Sequence, residues 1–268
     1  MMRNARMKAI LAMALGVALT ASASWGQNPP RPKSQKEIDA LQAIQKATTA
    51  DGQLKAIDNV LENFADTEFK PRLLVMATQI ASQKGDYALT ITYAERTLDA
   101  DPKNIFGLST LALEMVSHTR EFDLDKDEKL AKAEKYANQA IANAPNAVNN
   151  MGFPDDQWTS LKKDLAAQAH DALGRIAALR KKYDVSITEF KTALDTGVTP
   201  DPTTMVRLGD AYLQSNKFDD AISWFDKASA APNAPASVKS IAASRRADAV
   251  KMKDKANPPA KPPAADNK

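Results

Sequence analysis

The chain has 268 residues, 44% hydrophobic and 26% charged, so it can bury a core and is neither disordered nor membrane-embedded as a whole. Aromatics are only 6% while alanine recurs throughout, a mix that suits closely packed helices better than a sandwich of strands. With no cysteine, the sequence excludes disulfides, thiol catalysis and cysteine-ligated zinc.

The first element reads as an export signal. Arg3, Arg6 and Lys8 give a positive start, Ile10 to Ala23 is a run of apolar and small residues, and Ala21-Ser22-Ala23 supplies the small-x-small pattern that signal peptidase needs. A signal peptide over 1–23 is therefore expected, with a second available cut after Gly26. The run is short for a bilayer span, so membrane contact is expected only if this segment stays uncleaved. No cysteine is present to be acylated. The expected product is exported, periplasmic or secreted, and not a lipoprotein. Residues 1–23 hold three basic and no acidic residues, and removing them leaves 33 basic against 33 acidic residues. The basic balance of the whole chain thus belongs to the signal, and nucleic-acid binding loses its electrostatic support.

After a short flexible lead-in over 24–34, residues 35–66 alternate as a helical pair. Ile38, Leu41 and Ile44 share one face, Leu54, Ile57, Val60, Leu61 and Phe64 another, and Asp51-Gly52 is the expected turn. Residues 71–102 form a second pair, turning at Gly85-Asp86-Tyr87 and stopping at Asp101-Pro102. Residues 105–145 form a third, whose second helix carries Ala133, Ala137, Ala140 and Ile141. Two insertions interrupt the period, one around Arg120–Lys129 and one over Asn146–Asp156 that contains Met151-Gly152-Phe153-Pro154. Such departures from a repeat are places where function is often added. Pairs over 167–200 and 202–235 follow. Residues 236–254 read as a capping helix with Val238, Ile241, Ala242 and Met252 on its packed face. A Pro/Ala/Lys tail over 255–268 is expected to be disordered.

The last two pairs are copies of one another. Laying Ala167–Pro200 over Pro202–Pro235 at an offset of 35 residues puts Leu173-Gly174 on Leu208-Gly209, Phe190 on Phe225, Ala193 on Ala228 and Pro200 on Pro235. Tyr183 falls on Phe218, and Ile187 on Ile222. Helix packing explains the pattern. Thr78, Ala112, Gly174 and Gly209 sit where the first helix of a pair must admit its partner, and Thr90, Ala133, Ser186 and Ala221 are the small residues facing them. Phe190 and Phe225 are expected to fill the space toward the next repeat.

Leu208, Gly209, Tyr212, Ala221, Phe225, Ala228 and Pro232 resemble the signature of the tetratricopeptide-repeat family. The resemblance covers roughly 50–235. It implies an all-α fold: a right-handed α-solenoid of antiparallel helix pairs with a C-terminal capping helix. It also implies a concave groove, lined by the first helices, that holds a protein or peptide partner. The matching groove positions are Arg72, Gln79, Leu113, Val116, Arg175, Asp210 and Gln214, a mixed lining with no dominant sign of charge. Repeats of the family that clamp the acidic carboxy-terminus of heat-shock chaperones use a lysine and two asparagines in this groove. Here those places hold Val75, Met76 and Gln79, and again Asp171, Ala172 and Arg175, so that clamp is absent. The segment Phe64–Pro71 is similar to inter-repeat joints of envelope-biogenesis repeat proteins.

No catalytic constellation is visible. His118 and His170 lack metal spacing, and no nucleophile elbow, phosphate loop or dinucleotide fingerprint occurs, so neither an enzyme nor a cofactor is expected. Asp123, Asp125, Asp127 and Glu134 outline a calcium-loop spacing, but Glu128 stands where the sharp turn needs glycine. The favoured reading is a helix start, with Asp125 as cap and Glu128 three residues on. Asp155-Asp156 marks another helix start. The expected function is a non-enzymatic scaffold or adaptor of the envelope or secreted fraction. The alternative is a small-ligand or glycan-binding protein that uses the 146–156 insertion and exposed Trp158, Tyr183 and Trp224.

Overall fold

The computed structural model describes residues 30–256. The segment expected to be an export signal and nearly all of the proline-rich tail lie outside the described residues. Within them are eleven α-helices and no strand: α1 Gln35–Lys46, α2 Ala50–Asn63, α3 Lys70–Lys84, α4 Tyr87–Ala100, α5 Ile105–Ser117, α6 Lys126–Asn143, α7 Asp155–Leu179, α8 Tyr183–Thr196, α9 Pro202–Gln214, α10 Phe218–Ala230 and α11 Ala236–Ala256. Each odd-numbered helix up to α9 packs on the even helix after it, and each even helix packs on the next odd one. The result is five stacked pairs closed by α11, with an all-helical solenoid as the fold.

Local chemistry sets the turns. In three pairs the residue between the helices is left-handed: Gly85 at φ 72°, Lys181 at φ 60° and Asn216 at φ 58°. In each case the next amide donates back five residues, Asp86 to Ala81, Lys182 to Ala177 and Lys217 to Tyr212, a Schellman closure that satisfies the helix-end carbonyl. Asp86 then caps α4 by accepting from the amide of Leu89 at 3.0 Å. Asn104 caps α5 by accepting from the amides of Phe106 and Gly107, both at 3.2 Å.

Pairs close through the small residues expected. Thr78, Ala112, Thr90, Ala133, Ser186 and Ala221 are buried, and the Ser186 hydroxyl donates to the Gly174 carbonyl at 2.8 Å. The two phenylalanines also act within their own pair. A Cβ at Gly174 would stand 2.5 Å from the Phe190 ring, and one at Gly209 would stand 2.5 Å from that of Phe225. Each ring lies directly on the glycine, while its far side joins the core shared with the following helices.

Several expectations need correction. The turn of the first pair lies at Ala47–Thr49, not at Asp51-Gly52, because Thr49 caps α2 by accepting from the Gly52 amide at 3.1 Å. The end of the lead-in is tied down: Lys33 Nζ lies 2.8 Å from Asp66, and the Arg31 amide donates to Glu68 at 3.0 Å. Beside them a buried Glu37 accepts from Thr67 Oγ1 at 2.6 Å. Asp125 precedes α6 without a capping hydrogen bond, since its carboxylate pairs with Lys129 instead. The capping helix buries Ala242 and Ala249, but Ile241 and Met252 are 52% and 43% exposed. The helix start read at Asp155-Asp156 is the start of α7, which therefore runs twelve residues ahead of the repeat beginning at 167.

Candidate partner-binding face

The odd-numbered helices line one face of the stack, and the second insertion occupies part of it. Met151, Phe153 and Trp158 are buried together with Val75 of α3, Ile105 and Phe106 of α5, and Leu165 of α7. Phe153 stacks on Trp158 at a centroid distance of 6.3 Å, and Trp158 Nε1 donates to the Ala147 carbonyl at 3.2 Å. Arg72 donates through Nε to the backbone carbonyl of Asn150. The insertion therefore folds back over the first turns of α3 and α5 as an internal strap. Beside it runs a cleft of about 420 Å³, lined by Lys103, Asn104, Phe106, Asn143, Asn150 and Met151 among others.

This placement sorts the expected groove residues. Arg72 is taken up by the strap. Val116 is a core residue, packed with Leu108, Ala112 and Leu130, and is withdrawn from the groove lining. Gln79 and Leu113 are half-buried, and Gln214 is exposed. Asp210 faces α11: Arg245 Nε lies 3.1 Å from its Oδ1, close enough for an ion pair but not aligned as a hydrogen bond. Burial raises the Asp210 pKa, opposed by Arg245 and aided by Asp248.

Arg175 lies at the centre of this face and donates through Nη1 to Ser117 Oγ at 2.9 Å. Burial, and then the nearby Arg207 guanidinium, lower its pKa to about 10. The neighbouring acids are committed elsewhere. Asp171 is buried, accepts from Thr204 Oγ1 at 2.9 Å, and holds Arg207 Nη1 at 2.9 and 3.0 Å from its two oxygens. Glu114 accepts from Ser82 at 3.1 Å and has His118 Nδ1 at 3.6 Å. Sequence reasoning missed Ser117, Arg207 and Arg245. The position after the small residue of each first helix holds Gln79, Leu113, Arg175 and Asp210 in turn, so charge at this position is confined to the last two pairs, but that pattern does not point to their partners.

The other candidates fare differently. Trp158 is only 8% exposed and offers no stacking surface, which corrects the expectation of an exposed ring. Tyr183 and Trp224 are half-buried, and Lys227 Nζ sits 4.0 Å over the Trp224 ring. The calcium spacing is drawn apart. Lys129 lies 2.9 Å from Asp125 and 3.7 Å from Asp123, Glu134 holds Arg180 at 2.7 Å, and exposed Asp127 sits in the first turn of α6. Among the described residues no cluster of three or more ligating side chains occurs. His170 pairs with Glu189 at 2.8 Å, and His118 stacks on Tyr87 at 4.1 Å. Among the described helices none is long and apolar enough to cross a membrane.

The class this architecture defines is a helical-repeat solenoid. Residues 202–232 match the tetratricopeptide repeat family. Among solved structures the chain is similar to TTC0263, a thermophilic TPR protein in Thermus thermophilus. The identity is 17% and the TM-score 0.54, over 78% of this chain and 98% of that one. At that identity the likeness shows the fold alone. The assembly chaperone of RpL4 (Acl4) aligns at 11% identity over 83% of this chain and 98% of that one, with a TM-score of 0.40 that carries no argument. Among curated proteins none matches the sequence.

Proposed function

We propose that this protein is an exported, non-enzymatic scaffold that holds an extended segment of a partner protein along the inner face from α5 to α11. The observation that carries the proposal is the strip of Leu113, Arg175 and Gln214, which stays accessible on successive odd helices while the strap fills the same face over α3. An extended segment there gains affinity from many modest contacts, with a few dominating. The basic start and apolar run ahead of Ala23 support a site of action in the periplasm or outside the cell. A fluorescein-labelled pool of random nonapeptides, read by anisotropy, tests the face. Leu113→Trp and Gln214→Trp should each weaken binding about tenfold, while Lys135→Ala on exposed α6 should not. Equal binding by all four proteins would sink the assignment.

A second reading rests on the cleft beside the strap, whose asparagine-rich rim and apolar floor suit a small polar ligand. Its test is a glycan array probed with wild type and Asn104→Ala. Signals lost only in the variant would move the site from the inner face to the cleft.

A further inference from the structure

Arg175 has a half-buried guanidinium that no carboxylate among the described residues contacts directly. Its one hydrogen bond goes to the Ser117 hydroxyl, which itself donates to the Leu113 carbonyl at 2.5 Å. The two acids whose charge it feels, Asp171 and Glu114, are held by Arg207 with Thr204 and by Ser82 with His118. None of the described carboxylates forms an ion pair with Arg175. A half-buried cation in that state carries a desolvation cost that its neighbours offset only in part. Its planar fork keeps donors free for a second group.

We infer that Arg175 is the receptor for an acidic side chain, Asp or Glu, on the extended segment of the partner. This inference rests on the inner-face reading above and names the chemistry of its ligand. One carboxylate matches the guanidinium of Arg175, which has no ion pair, since Arg207 beside it is already neutralised by Asp171. A side chain can reach a half-buried guanidinium while the main chain passes over it, which a terminal carboxylate does only by bringing the backbone closer.

The test uses the mature chain and acetylated, amidated nonapeptide pools whose random positions omit Asp and Glu. The central residue is fixed as Glu or as Gln, and a further Gln pool carries a free carboxy-terminus. The Glu pool should bind about tenfold tighter than the amidated Gln pool, the gain of one charge-assisted hydrogen bond. The preference should shrink in high salt and vanish in Arg175→Gln, while Arg175→Lys keeps part of it. Arg175→Gln should melt at or above the wild-type temperature, because it removes a half-buried charge that has no ion pair. Glu and Gln pools bound alike would overturn the subsite and leave the inner-face reading standing. A free terminus that matches Glu would overturn the side-chain assignment. Preference retained in Arg175→Gln, or a marked fall in its melting temperature, would overturn the role given to Arg175. No binding of any pool would overturn both readings.

Discussion

At the scale of single residues, the contact that most constrains the sequence is a ring on a glycine. Gly174 and Gly209 each lie under a phenylalanine with no room for a Cβ. Gly209→Val should cost about 1–3 kcal/mol in urea unfolding. Combined with Phe225→Leu, the loss should be smaller than the sum of the two. Asp210 gives a second expected outcome. Burial raises its folded pKa above the unfolded value of about 3.9. Its contribution to stability is therefore present at low pH and lost as pH rises through the folded pKa. Asp210→Asn should flatten the melting temperature across that interval, though it also removes the pairing with Arg245. The glycines were legible because they recur at a fixed offset beside leucine. The pairing of Arg207 with Asp171 was not, since it joins two helices at an angle that only the stacking of pairs defines.

At the scale of helices, α7 and its strap depart most from the repeat. Trp158→Ala should cost about 3–5 kcal/mol and open 147–154 to limited proteolysis. Deleting Asn146–Asp156 outright is a poor probe of binding, because Met151 and Phe153 form part of the core around Val75. The sequence marked this stretch as an interruption, yet offered no way to see that it turns inward. Its apolar residues match no helical period, and their partners on α3 and α5 are distant in the chain. The capping helix was legible as a helix but not by face, since its packing uses Ala242 and Ala249 while Ile241 and Met252 stay outside. Removing α11 should lower hydrogen-exchange protection in α9 and α10 first, because each unit leans on its neighbours. Uniform loss along the chain would contradict that. The ion pairs of Asp123, Asp125 and Glu134 likewise lead to no change in melting temperature with millimolar calcium, as no selective binding to the folded state is available.

For the whole molecule, export and shape are separate claims with separate measurements. Intact mass from the native host should give a chain beginning at Ser24 or Gln27, and a full-length cytoplasmic product would refute the proposed location. The strap has a consequence for how the chain reaches its shape. A plain solenoid has contacts only between neighbours, so folding can begin anywhere and spread, and one end can unravel while the other persists. The contact of Arg72 with Asn150 joins residues 78 apart in sequence and ties the second pair to the stretch between the third and the fourth. That long closure raises the contact order of the middle of the array, which slows its formation. Once closed, it makes α3 to α7 a single cooperative block between two ends that fray one pair at a time.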